Sequence, residues 1–162
     1  MARTPTLAAL EALYRERRDA FERTASAIAG ESGLGQDAVH DAFVLAVRHR
    51  RRFRAEGTLE AWVWRIVVNE ARKRRAERAR TPFSATAPEA AGAPNGDEAS
   101  DRTRALVAAL PERQRLTLFL RYYADLDYTA IAGALGVKPG TVAATLHAAH
   151  AALRKQLQEA ER

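Results

Sequence analysis

The sequence predicts an all-α protein made of two small helical domains joined by a flexible linker. Of its 162 residues, 47% are apolar and only 9 are glycine and 6 proline, which favours packed helices over disorder. Apolar residues recur at helical spacing in both halves, whereas residues 81–101 contain three prolines and show no helical or strand period. These observations predict an N-terminal domain at 1–80, the linker at 81–101 and a C-terminal domain at 102–162.

The N-terminal domain is predicted to contain three amphipathic helices. The first has apolar residues at helical spacing from Leu7 to Ile28, and glycines then interrupt the pattern. The second begins near Asp37, a residue type that favours helix N-caps. The third carries an apolar stripe at positions i, i+3, i+4, i+7 and i+8, formed by Leu59, Trp62, Val63, Ile66 and Val67.

The other side of the third predicted helix is basic. Arg65, Asn69, Arg72 and Lys73 are three or four residues apart or adjacent, and therefore share one side of a helix. Such a face is either a solvated surface or a nucleic-acid contact. The amide of Asn69 among the cations favours nucleic acid, because amides hydrogen-bond base edges.

Two tryptophans accompany this basic face, and aromatic rings can stack on unpaired bases. Trp62 falls on the apolar stripe, so the pattern predicts that it packs in the core. Trp64 points away from that stripe and is the better candidate for an exposed ring.

The linker differs from both domains in charge. Residues 81–101 carry −4, whereas the N-terminal and C-terminal domains carry +6 and +4. The net charge of +6 indicates a polyanionic partner, although charge alone does not separate nucleic acid from an acidic protein or a membrane surface.

The C-terminal domain is predicted to contain a helix-turn-helix. Asp127 suits the N-cap of a short helix, Gly136 suits a tight turn, and Pro139 suits the first turn of a second helix. This second helix, which would read DNA, is rich in alanine and poor in cations. We therefore expect its sequence reading to be weak, or to depend on backbone amides and hydroxyls. Its candidate contacts are Lys138, Thr141, Thr145, His147, His150 and Arg154.

Catalysis and metal binding are not expected. The chain has no cysteine, and the histidine pair His147 and His150 lacks the further carboxylate or cysteine that would complete a metal site. It shows no phosphate-binding glycine loop, nucleophile elbow or pair of catalytic carboxylates. We therefore predict no catalytic residue and no cofactor. The absence of an apolar stretch of about 18 residues predicts a cytoplasmic protein without membrane insertion.

Three segments together resemble the extracytoplasmic-function (ECF) group of bacterial sigma factors, in the sigma-70 family. The stretch from Asp37 to Phe43 is similar to the family pattern D-x-x-Q-[ED]-x-F, with His40 in place of glutamine. Trp62 to Asn69 is similar to W-L-x-x-I-A-x-N. Residues 110–142, through the helix-turn-helix, match the family's C-terminal region.

The resemblance implies a fold, partners and a set of contacts. Residues 1–80 would form a region two-like domain and residues 102–162 a region four-like domain, joined by a linker whose acidic end either mimics nucleic acid or keeps the chain soluble. The partners would be core RNA polymerase, through its clamp helices and flap, promoter DNA, and an anti-sigma factor. Contacts with core polymerase are expected from Asp37, His40, Asp41, Phe43, Arg48 and Arg51. The minus-10 contacts are expected from Trp64, Arg65, Asn69, Arg72 and Lys73. The minus-35 contacts would be the six residues already named in the helix-turn-helix.

The function implied by the resemblance is to bind core RNA polymerase, direct it to specific promoters and help melt the minus-10 element. The alternative is a helix-turn-helix regulator, or a sigma-like protein that does not itself direct initiation. That alternative would account for the alanine-rich second helix. It would not account for the segment Asp37 to Phe43, since a free-standing regulator needs no surface for docking on polymerase.

Overall fold

The computed structural model describes residues 3–81 and 98–162, and within these ranges the regular structure is helical, as predicted. A short 3-10 turn at Arg50–Arg52 follows the second helix. The described part contains seven α-helices: α1 (Leu7–Ala29), α2 (Ser32–His49), α3 (Leu59–Arg80), α4 (Glu98–Ala108), α5 (Glu112–Tyr122), α6 (Tyr128–Leu135) and α7 (Pro139–Ala160).

Side chains and glycines explain several of the helix ends, whereas α2 begins at Ser32 without a side-chain cap, five residues before its predicted start near Asp37. Thr58 caps α3 by accepting a hydrogen bond from the Ala61 amide at 3.0 Å. Asp127 caps α6 in the same way, from the Ala130 amide at 2.8 Å, as the sequence predicts. Gly136 ends α6 with a φ of 67°, a conformation that favours glycine, and α7 then starts at Pro139.

Helices α1, α2 and α3 pack around an aromatic core. The ring of Phe21 lies 4.3 Å from that of Trp64 and 5.3 Å from that of Phe43, between centroids, and Tyr14 meets Phe43 edge to face at 5.0 Å. The α1–α2 crossing is tight, because a Cβ added to Gly35 would overlap the backbone of Ser26. These contacts fix the relative positions of α2 and α3.

Helices α5, α6 and α7 form the core of the C-terminal half, with α4 against it. Leu120, Ile131 and Val142 are almost fully buried there, one from each of these three helices. Helix α4 begins at Glu98, so the last residues of the predicted linker are helical. The rest of the predicted linker, at 82–97, lies outside the described residues. No helix in the described ranges is long and apolar enough to cross a membrane.

Candidate nucleic-acid interface

Helix α3 brings together four of the residues predicted to contact nucleic acid. Arg65, Asn69, Arg72 and Lys73 are all exposed, and the helical turn places them on one side of α3. We call this side the basic face of α3. It presents one amide between cations, which suits a base edge flanked by phosphates.

The prediction of an exposed Trp64 is wrong. Trp64 is fully buried against Phe21, and its indole Nε1 donates a hydrogen bond to Glu60 Oε1 at 3.3 Å. Trp62, which was expected to be buried, is only partly so and packs edge to face on Phe53 at 5.6 Å. Trp62 lies two helical turns before Asn69, on nearly the same side of α3. The aromatic ring beside the basic face is therefore Trp62.

Helix α2 divides the residues predicted to contact polymerase between its surface and the core. His40, Arg48 and Arg51 are exposed, with Arg51 in the 3-10 turn that follows. Asp41 forms an ion pair with Arg74 of α3, and this hydrogen bond raises the pKa of the Arg74 guanidinium. The second carboxylate, on the exposed Asp37, lies 3.8 Å from the same guanidinium. Phe43 points inward and packs against the rings of Tyr14 and Phe21. The two carboxylates thus also tie α2 to α3.

Helix α7 divides the predicted minus-35 contacts between two sides. Thr141 and Thr145 lie one turn apart, and the Thr145 hydroxyl donates to the Thr141 carbonyl at 2.7 Å, so this hydroxyl is left as an acceptor. At about 100° per residue, His147 and Arg154 lie on nearly the opposite side. His150 is nearer to the second group, and its Nε2 is 2.8 Å from the Tyr122 hydroxyl. Lys138 is the exposed residue at the N-cap.

The C-terminal half contacts the basic face of α3. Arg72 binds the carboxylate of Glu112 through two hydrogen bonds, of 2.7 Å from Nε and 3.2 Å from Nη2. This pairing holds the pKa of Glu112 below its ordinary value. Sequence reasoning did not find Glu112, since 40 positions separate the partners and nothing in the local pattern links them. The sequence signal available for Glu112 was its position as an acidic residue in the first turn of α5.

Two segments of the chain match family models that describe sigma-70 proteins. Residues 13–81 match sigma-70 region 2, and residues 100–153 match sigma-70 region 4. The chain belongs to the sigma-70 family. Its place in the ECF group is supported by its sequence similarity to the ECF RNA polymerase sigma-E factor of Escherichia coli strain K12. This relative is 29% identical over 144 residues, which cover 78% of the chain and 75% of the relative.

Solved structures of sigma factors show the same fold. The structure of CnrH in complex with the cytosolic domain of CnrY matches with a TM-score of 0.70 at 21% identity, covering 95% of this chain and 90% of that one. The co-crystal structure of sigma factor RpoE with anti-sigma factor NepR from Bartonella quintana gives 0.63 at 22% identity, covering 94% and 93%.

The two family matches cover the two halves of this sigma factor. The region 2 match spans most of α1 and all of α2 and α3, and therefore includes the basic face. The region 4 match spans all of α6 and most of α7. As a sigma factor, the chain directs RNA polymerase to promoters. Sigma factors are initiation factors without catalytic activity of their own.

Acidification is expected to break the contact between the two halves at Glu112. Because the folded pKa of Glu112 is lowered, its ion pair with Arg72 adds stability above the ordinary value of 4.5 and is lost as pH falls through the folded value. Carbon-13 NMR of the Glu112 carboxyl should show a midpoint below 4.5, and the Arg72 Nε proton signal should shift with it. The same pH-dependent shift of the Arg72 Nε proton signal in the Glu112→Gln variant would contradict this assignment.

Proposed function

We propose that this sigma factor captures the unpaired minus-10 strand of a promoter on the basic face of α3. The observation that carries the proposal is the placement of Asn69 between exposed cations on one side of a single helix. In this arrangement Asn69 bonds a base edge, while Arg65, Arg72 and Lys73 bind phosphates. Trp62, rather than Trp64, is the ring available for stacking.

Capture of this kind supplies the free energy for melting. A protein shifts the equilibrium between paired and unpaired DNA only by the difference in its affinity for the two states. Base-edge atoms used in Watson–Crick pairing become available to Asn69 when the strands separate. Stacking on an aromatic ring contributes about 1–3 kcal/mol per base. A few such contacts offset the cost of unstacking a short promoter segment.

We assign the outer face of α2 to core polymerase and the helix-turn-helix to the minus-35 element. On α2, the exposed His40 and Arg48 remain available, while Asp37 and Asp41 also bind Arg74. The two-sided arrangement on α7 allows one group of predicted contacts to enter a groove at a time. Minus-35 reading is therefore weak, and the minus-10 contact supplies most of the promoter specificity.

The remaining assignments follow from the same family. An anti-sigma factor is the expected inhibitory partner, because the RpoE structure that shares this fold holds the anti-sigma factor NepR. The site of action is the cytoplasm, where core polymerase meets DNA. The chain's contribution is binding and positioning, with no catalytic residue and no cofactor of its own.

Transcription in vitro tests the proposal directly. The protein is mixed with bacterial core polymerase and fragmented genomic DNA, and the 5′ ends of the transcripts are sequenced. Discrete starts that share an upstream minus-10 motif, with a weak or absent minus-35 motif, are expected. Stable polymerase binding without transcripts would make the chain a regulator instead, and no polymerase binding at all would overturn the proposal.

Replacing Asn69 with alanine is expected to reduce initiation about tenfold, since a base-edge contact by an amide contributes about 1–3 kcal/mol of discrimination. The preference at one position of the minus-10 motif should relax at the same time. Sequencing of transcript starts measures both effects. Gln158→Ala, which removes an exposed amide near the end of α7, is the matched control. An unchanged motif with Asn69→Ala would show that Asn69 does not read a base.

A further inference from the structure

An exposed tyrosine on α5 is joined to a histidine on the helix that we assign to the minus-35 element. Tyr122, the last residue of α5, is 63% exposed. Its hydroxyl lies 2.8 Å from Nε2 of His150 on α7, and the two rings meet edge to face with their centroids 5.9 Å apart. Because water competes for both groups, such a surface bond adds little to stability. Its main effect is to fix the position of the imidazole.

His150 belongs to a row of exposed side chains on one side of α7. His147, His150 and Arg154 are three and four residues apart, so the helical turn aligns them over about 10 Å. We call this row the basic stripe of α7. On the other side of the helix, the Thr145 hydroxyl already donates to the Thr141 carbonyl and is left as an acceptor. The basic stripe is therefore the side of α7 that suits a phosphate.

The bond to Tyr122 determines which nitrogen of His150 is available to a ligand. The tyrosine hydroxyl occupies Nε2 and leaves Nδ1 for another partner. A neutral ring that accepts the tyrosine proton at Nε2 carries its own proton on Nδ1, and a protonated ring carries one on each nitrogen. Both of these forms present an N–H group at Nδ1. The protonated form makes the stronger bond to a phosphate, because the bond is then charge-assisted.

We propose that Tyr122 is a positioning residue for the minus-35 contact, holding His150 so that Nδ1 donates to a phosphate of the DNA backbone. The inference rests on the proposed assignment of the helix-turn-helix to the minus-35 element. A nearby phosphate favours the protonated imidazole, so the affinity for this DNA rises as the pH falls through the range in which histidine changes charge, about pH 5 to 8. The contact thus offsets part of the shortage of cations on α7.

Other ionisable groups around this contact keep a constant charge over most of that range. They are Arg154 on α7, Arg121 on α5, Tyr128 on α6, and Asp101 with its partner Arg104 on α4. Arginine, aspartate and tyrosine do not titrate between about pH 6 and 8. His147, one turn before His150, is the second imidazole of the basic stripe, so its contribution needs a variant of its own.

Binding of the holoenzyme to duplex DNA tests the proposal. The chain is assembled with core polymerase and mixed with a labelled duplex that spans the minus-35 segment of one of its mapped promoters and ends before the minus-10 element. Fluorescence anisotropy gives the Kd at about pH 6 and about pH 8. The ionic strength is held constant, because affinity for DNA falls steeply with salt.

We expect the wild-type holoenzyme to bind about fivefold more tightly at the lower pH, since one further charge-assisted bond forms there. Tyr122→Phe keeps the ring and removes the hydroxyl, and it should lose most of this difference, as should His150→Gln. Tyr123→Phe removes a hydroxyl from the next residue and is the matched control, which should behave as the wild type. His147→Gln should keep the part of the difference that depends on Tyr122.

Three results would overturn the inference and leave the proposed function intact. They are wild-type binding that does not change with pH, a Tyr122→Phe holoenzyme that keeps the wild-type affinity at both pH values, and an equal loss by Tyr122→Phe at both. In the last case Tyr122 would act without His150. A wild-type holoenzyme that binds the duplex no better than core polymerase alone, at either pH, would overturn the minus-35 assignment and the inference with it.

Discussion

Replacing Trp64 with alanine is expected to lower the free energy of unfolding by about 3–5 kcal/mol, the range found for buried large aromatic residues. Trp64 is fully buried, and its ring lies 4.3 Å from that of Phe21 between centroids. Alanine would leave a cavity between α1 and α3 that a close-packed core does not refill. Because domains of this size are stable by only about 5–15 kcal/mol, much of the total would be lost. Urea unfolding followed by circular dichroism measures the change.

Two matched variants separate a structural role of Trp64 from a DNA contact. Trp62→Ala removes a ring of the same type that is only partly buried, and its effect on unfolding should be clearly smaller. Trp64→Phe keeps a ring against Phe21 but removes the hydrogen bond to Glu60 and part of the buried ring volume. A folded Trp64→Phe protein should therefore keep most of its initiation activity. Loss of initiation with normal stability would mean that the indole contacts DNA, contrary to its buried position.

The error at Trp64 shows what an apolar pattern on one helix can and cannot predict. Val63 and Val67 of the expected stripe are fully buried, but Leu59, Trp62 and Ile66 are only partly so. Trp64 and Val68, which lie outside that stripe, are buried instead. Apolar side chains cover a wide arc of this helix, and several overlapping stripes fit the 3.6-residue period equally well. The arc that is buried depends on where α1 and α2 pack, which one helix does not encode. The exposure of Asn69 was predictable, because Asn69 is polar and shares its side of the helix with charged residues.

Local signals were read more accurately than distant ones. The cap at Asp127, the turn at Gly136 and the start of α7 at Pro139 all follow from interactions within a few residues. The bond between Arg72 and Glu112 joins residues 40 positions apart, and the approach of Gly133 to Ala61 spans a still longer separation. Such contacts depend on the packing of whole helices. The contacts between the two halves of the chain could therefore be found only from the structure.

Replacing Gly35 with alanine is expected to lower the free energy of unfolding by about 1–3 kcal/mol or more, the usual cost of forcing extra volume into a packed site. A Cβ at this position would overlap the backbone of Ser26, and backbone atoms cannot move aside as a flexible side chain can. Helices α1 and α2 would have to separate. Thermal and urea unfolding measure this cost.

The matched control is Gly33→Ala in the same helix, where an added Cβ would lie 3.8 Å from Glu31 Oε1, an ordinary contact distance. Both substitutions exchange glycine for a better helix former, which alone would raise stability by up to about 1 kcal/mol. The difference between the two variants therefore isolates the helix crossing. Since that crossing positions the α2 surface assigned to polymerase, Gly35→Ala should also weaken binding to core polymerase, measured in a pull-down, while Gly33→Ala should not. Equal stability of the two variants would show that α1 and α2 are not packed this closely.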